Sequence, residues 1–173
     1  MEIKYQLTKD DYIDFNLYHM EHSASFKRSI FIQRYIVSLI FLIMPFALKS
    51  STDIPFWYWL TICSIVYLVW VIFYNRYMRW NTARRLSKMV DEGKNKDMLG
   101  ERSLKVFEEG IMQTNELNES KVAWKSIERI AESKSHIFIY TSAVSSYIVP
   151  LRAFDDKEQK EEFLRILKTH VQA

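Results

Sequence analysis

His19 and His22 flank Glu21 at i and i+3, a spacing that sets two imidazoles on one helix face, as metal sites do. No third ligand is evident beside them, so a solvated helix surface is the plainer reading. Ser142, Ser145 and Ser146 crowd one short stretch, where turn chemistry outweighs a nucleophile role. Arg152, just after Pro150, suits a phosphate or a carboxylate, a surface ion pair being the commoner outcome. The single cysteine, Cys63, lies in an apolar run and reads as a small packing residue. The sequence holds no G-x-S-x-G, H-E-x-x-H or Walker loop, and its 3 glycines are too few for a phosphate-cradling loop. The expectation is a protein that is not an enzyme and carries no cofactor and no metal.

The elements that position these side chains are dominated by two apolar runs, 30–48 and 54–74, separated by Lys49-Ser50-Ser51-Thr52-Asp53. As helices they would reach roughly 28 and 31 Å, close to the roughly 30 Å hydrocarbon core of a bilayer. The second run has no charged residue; the first has Gln33 and Arg34 near its start and Pro45 near its end. Arg34 is one turn inside, where its guanidinium can snorkel to the headgroups. A chain of 173 residues has little left with which to cover two such helices, so the sequence predicts a transmembrane hairpin over 30–74. Lys27, Arg28 and Arg34 flank its start and Arg76, Arg79, Arg84, Arg85 and Lys88 follow its end. The positive-inside rule then puts both flanks, and both termini, on the cytoplasmic side of a cell membrane, the first span acting as an uncleaved anchor.

The 24 basic and 21 acidic residues leave a mild excess concentrated beside the spans, which argues against nucleic acid as a partner. It makes Arg76, Arg79, Arg84, Arg85 and Lys88 candidates for contact with anionic lipid, ordinary topology determination being the blander reading.

Upstream, 1–29 reads as a strand followed by an amphipathic helix. Ile3, Tyr5 and Leu7 alternate with polar neighbours. Thr8 with Asp11 forms a capping pair for a helix over 9–22, whose apolar stripe is expected at Ile13, Leu17 and Met20 with Tyr12, Phe15 and Tyr18 adding bulk beside it, suited either to packing on the C-terminal domain or to lying at the membrane interface. A basic helix over 75–92 continues the second span until Gly93, and 93–100 is the linker. From 101 to 173 the pattern turns to short β runs at 103–107, 111–114, 121–124, 128–133, 137–141 and 147–149. Glu108-Glu109-Gly110 should close a hairpin with Gly110 at positive φ. The all-apolar run 137–140 suggests a central strand with Phe138 and Tyr140 as core anchors. Asp155 or Asp156 opens a last helix whose inner face carries Phe163, Leu164, Leu167 and Val171.

The EEGI turn (108–111), Trp124 with Ile127, and the segment IYTSAVSSYIVPLRAF (139–154) resemble the YcxB-like family of small bacterial membrane proteins. That resemblance covers roughly 101–169. It implies an α+β membrane protein: a two-helix transmembrane hairpin plus a C-terminal pleckstrin-homology-like (PH-like) antiparallel domain, a bent sheet or partly open barrel capped by one amphipathic helix. It also makes Trp124 a core anchor, and it brings no established activity. If Glu108-Glu109 is the turn between the first two strands, its acids disfavour headgroup binding there, because phosphate needs converging Lys or Arg donors. The leading expectation is a non-enzymatic membrane-anchored binding or scaffold module with a protein partner or a second copy. The alternative is an anionic-lipid-responsive protein, and a small transporter or pore subunit is disfavoured because neither span carries an ionisable residue near mid-bilayer.

Overall fold

The structure is a computed structural model that describes residues 1–49, 53–92 and 99–171. Most of the expected linker 93–100, with Gly93, and most of the loop between the spans lie outside the described residues. The chain divides into two compact units, one formed by Met1–His19 with Leu86–Ala173 and the other by Met20–Arg85.

The first unit is a β structure, and its opening strand comes from the far end of the sequence. Strand β1 (Glu2–Leu7) buries Ile3, Tyr5 and Leu7 and exposes Glu2, Lys4 and Gln6. It pairs antiparallel with β2 (Gly100–Phe107), Ile3 opposite Leu104 and Leu7 opposite Gly100. β3 (Gly110–Asn115) and β4 (Glu119–Ala123) complete a four-stranded sheet in the order β1-β2-β3-β4. A second antiparallel sheet holds β5 (Arg129–Glu132), β6 (His136–Tyr140) and β7 (Ser146–Pro150), with β6 central. Every residue of β6 is buried, as a strand apolar on both faces requires. Setting 1–29 apart from 101–173 therefore differs from the structure: a lone strand cannot satisfy its backbone or hide its apolar side chains, and β1 does both on β2.

Helix α1 (Lys9–His22) follows β1 and is capped as its sequence predicts, the Asp11 carboxylate accepting from the Thr8 N–H at 2.7 Å. The face it turns to this core is a different stripe from the one expected. Phe15 belongs to the core and Tyr12 and Tyr18 pack against it, whereas Ile13 and Leu17 are half-buried outside it and Met20 is buried in the other unit. Phe15 and Tyr18 lie 5.4 and 4.9 Å from the Phe138 ring, so aromatic packing rather than aliphatic spacing chose the face.

The connection between β2 and β3 is Glu108-Glu109, and Gly110 is not at positive φ; the positive-φ glycine among the described residues is Gly100, at 108°. Gly110 is required for another reason: a Cβ there would stand 2.0 Å from the Val122 carbonyl oxygen on β4. The first two strands are β1 and β2, so the connection between them is 8–99, with both apolar helices inside it, and not Glu108-Glu109. Trp124 ends β4 in a 3-10 turn (Trp124–Ser126) and is half-buried rather than central. Its ring stacks on His170 at 4.5 Å, and its Nε1 donates to the Glu108 carbonyl at 3.0 Å. Phe138 and Tyr140 are fully buried.

Helix α5, Lys157–Val171, closes this core with Phe163, Leu164 and Leu167. Asp156 caps it, accepting the Gln159 N–H at 2.7 Å, while Gln159 Oε1 accepts the Asp155 N–H at 2.8 Å. Glu132 on β5 pairs with Lys168 and Lys160 at 3.0 and 3.6 Å, which holds its carboxyl below the usual carboxylate range.

The second unit is a helical hairpin. Its first arm, Ala24–Leu48, is continuous but not uniformly α-helical. α2 (Ala24–Phe31) gives way to a π-helical turn (Ile32–Ile36) and a 3-10 turn (Val37–Leu39) before α3 (Ile40–Leu48) resumes. The second arm is α4 (Phe56–Asp91), one helix through the second apolar run and the basic stretch. The arms run antiparallel: Phe46 meets Phe56 at 5.2 Å near the loop, and Phe41 meets Trp70 at 6.1 Å further down. Both arms are long and apolar enough to cross a membrane.

Candidate functional site

Where the hairpin opens, away from the 49–53 loop, its two arms and the end of α1 line an open-sided cavity of about 450 Å³. Its apolar lining is Met20, Ile30, Phe31 and Met78; its polar lining is Glu21, Lys27, Arg34, Asn75 and Arg79, with Tyr35. The π-helical turn is the local cause. An extra residue per turn rotates Gln33 and Arg34 relative to a regular helix, and such turns recur at functional sites. Gln33 Oε1 accepts the Tyr74 hydroxyl hydrogen bond, and Arg34 Nε donates to the Val71 carbonyl at 2.8 Å. Ser38 Oγ donates to the Arg34 carbonyl at 2.5 Å, satisfying a backbone acceptor at the irregular turn. Arg34 is therefore pinned to the facing helix, and its guanidinium carbon lies 5.0 Å from the Tyr35 ring centroid. Glu21, the one acid in the lining, is ion-paired with Arg79. Lys27 and Arg34 then leave the cavity positively charged.

Of the five basic residues that the sequence offers for contact with anionic lipid, the cavity takes in Arg79 alone. Arg76, Arg84, Arg85 and Lys88 stand exposed along α4, Arg84 with its guanidinium 5.3 Å from the Trp80 ring. At about 100° per residue Arg84, Arg85 and Lys88 fall on one side of the helix, with Arg76 at the edge of the same half-turn, and none of the four lines the cavity. Lys27 and Arg34 are noted in the sequence only as flanking charge. Nothing in spacing says that they face Arg79, because that proximity is made by the hairpin fold.

A second constellation sits in the β unit. Asp11, although acidic, is 2% exposed. Its Oδ1 meets His136 Nε2 and an Arg152 terminal nitrogen, each at 2.7 Å, and its Oδ2 accepts from the Thr8 N–H, the Thr8 hydroxyl and the other Arg152 nitrogen at 2.7, 2.8 and 2.5 Å. Burial by itself would raise this carboxyl, but the Arg152, His136 and Thr8 donors outweigh it and hold it well below the usual carboxylate range. Arg152 thus meets a carboxylate, and a buried one, joining β1–α1 to the segment after β7. His136 Nδ1 lies 2.9 Å from the Ser135 hydroxyl, completing a serine–histidine–aspartate chain. In a nucleophilic triad the aspartate stabilises the imidazolium formed by proton transfer. Here Asp11 also accepts from Arg152 through both of its oxygens, so the same carboxylate joins three segments of the β unit.

His19 and His22 are not joined by further ligands: no group of three or more metal-ligating side chains occurs among the described residues. His19 lies in the aromatic cluster, 6.2 Å from Phe15 and 6.1 Å from Tyr140, and burial with the nearby Arg129 charge lowers its pKa. Ser142 and Ser145 build the β6–β7 connection, the Ser142 hydroxyl accepting the Ser145 N–H at 3.0 Å. Cys63 is buried.

The fold is thus α+β, two antiparallel sheets with a closing helix in one unit and a hairpin of two long apolar helices in the other. Residues 106–167 match the family model of YcxB-like protein. The matched segment runs from the end of β2 into α5 and does not include β1, the strand that completes the sheet. No curated protein and no solved structure matches the chain.

Proposed function

We propose that this chain is a membrane-tethered, non-enzymatic binding module. The hairpin crosses the bilayer and holds a PH-like β domain at the cytoplasmic surface, where that domain engages a protein partner or a second copy. The observation that carries the reading is the exposure of the hairpin's apolar side chains around both arms. Phe46 is 65% exposed, Trp57 73% and Ile72 64%, and only 11% and 6% of the two most apolar windows are buried. A core helix of a soluble protein would be covered; hydrocarbon is the solvent these surfaces suit. Four strands followed by three, closed by a C-terminal helix, is the arrangement expected of a PH-like barrel. In that frame the hairpin occupies the connection between the first two strands, so both crossings lead to the same domain and fix it to the surface at two points. The basic flanks at the hairpin's open end favour the cytoplasmic side.

The test is fractionation of cells expressing the full-length chain, with a photo-crosslinker at Val144, which is 72% exposed in the β6–β7 connection. The protein should resist alkaline extraction from membranes, tags at either end should be unreachable from outside intact cells, and crosslinking should give a discrete adduct. A chain that stays in solution without detergent overturns the tether. A membrane-inserted monomer with no adduct under any growth condition overturns the binding role.

A further inference from the structure

We propose that the cavity at the open end of the hairpin binds one anionic phospholipid, its phosphate held between Lys27 and Arg34 and its glycerol and upper acyl carbons lying on Ile30, Phe31 and Met78. This rests on the reading of the hairpin as membrane-spanning and goes beyond it, because a tether needs no lipid preference.

Charge is the first argument. Arg34 spends Nε on the Val71 carbonyl, and among the described residues neither its two terminal nitrogens nor the Lys27 ammonium has a carboxylate partner. Glu21, the acid in the lining, is taken by Arg79. A guanidinium at the edge of hydrocarbon needs an acceptor for its remaining donors, and a phosphate takes two parallel N–H bonds from it. The zwitterionic choline headgroup would bring a cation against Lys27 and Arg34, so the cavity discriminates by net charge. Depth is the second argument. Lys27 and Arg34 both line the cavity and stand seven residues apart, about 10 Å along the axis, which bridges the boundary between the hydrocarbon and the headgroup layer. Shape is the third. A cavity of about 450 Å³ lined by both apolar and cationic side chains matches an amphiphile better than a free ion. Basic pockets between membrane helices on the cytoplasmic side are a recurrent solution for lipid headgroups. Arg84 and Arg85, exposed on α4 outside this cavity, offer the bilayer charge without a seat.

The full-length protein is reconstituted in phosphatidylcholine nanodiscs with increasing phosphatidylglycerol, and native mass spectrometry counts lipids retained after release. Wild type should retain one phosphatidylglycerol in preference to phosphatidylcholine. Lys27→Gln with Arg34→Gln should lower that retention roughly tenfold or more, each cation near an anionic group contributing comparably. Arg84→Gln with Arg85→Gln should retain it. If the double variant at Arg34 fails to insert, Lys27→Gln alone decides, since among the described residues its ammonium makes no hydrogen bond or ion pair. Equal retention by wild type and Lys27→Gln, equal loss in the Arg84/Arg85 variant, or displacement of the lipid by inorganic phosphate overturns the site. Alkaline extraction of the same samples separates the two readings: an inserted protein without lipid preference loses only the lipid site, and an extractable one loses the tether as well.

Discussion

Asp11 shows how much one side chain can carry. A buried carboxylate with five donors around it is stable only while all of them are present, so Asp11→Asn, which removes the charge that Arg152 and His136 face, should destabilise the β unit by about 3 kcal/mol. Arg152 is half-exposed, and Arg152→Ala should cost less, about 2 kcal/mol. Thermal denaturation of the full-length protein in mild detergent reads both. The pH dependence has a definite sign. The folded Asp11 carboxyl titrates below its unfolded value of about 4, so its contribution is complete above that value and is lost as the pH falls through the folded one. Wild type should therefore lose stability on acidification below about pH 4 more steeply than Asp11→Asn, the two melting curves converging in acid. Curves that stay parallel would remove Asp11 as the cause. The capping role of Asp11 was legible from Thr8 three positions before it. Its pairing with His136 and Arg152 was not, because residues separated by more than a hundred positions leave no spacing signal.

At the scale of elements, the apolar alternation of β1, the apolar run of β6 and the capped amphipathic α5 form where local pattern and tertiary need agree. The element boundaries that moved did so for nameable reasons. Trp124 leaves β4 because its indole stacks on His170 and reaches the Glu108 carbonyl, which a continued strand would prevent. Helix α1 turns Phe15 and Tyr18 to the core because aromatic partners await there on β6. Gly110 is needed for closeness rather than for a left-handed backbone. Gly110→Ala would force a methyl against the Val122 carbonyl on β4, and since backbone cannot step aside cheaply it should destabilise the sheet by about 1–3 kcal/mol. Gly100→Ala should also be unfavourable, through φ alone, with open space where its Cβ would go. Denaturant midpoints of the two variants, with unchanged transition slopes, are the measurement.

At the scale of the whole molecule, the β unit is built from both sides of the apolar hairpin. A chain joining residues 1–19 to 86–173 through a flexible Gly/Ser linker should fold cooperatively without detergent, whereas 86–173 alone, lacking β1, should leave the edge of β2 and Leu104 uncovered and fail to do so. Near-UV circular dichroism and amide dispersion compare them; a folded 86–173 fragment would show β1 to be an ornament. The amino-acid sequence by itself determined the two long apolar helices, the β character of the C-terminal segment and its closing helix, because hydrophobic period and capping chemistry are local. Tertiary structure alone decided that β1 belongs to the distant sheet, that Asp11 is a buried tie, and that Lys27 and Arg34 share a cavity with Arg79. Those relations depend on which surfaces meet after the chain has turned back on itself, and the free energy of meeting is written in no single stretch of residues.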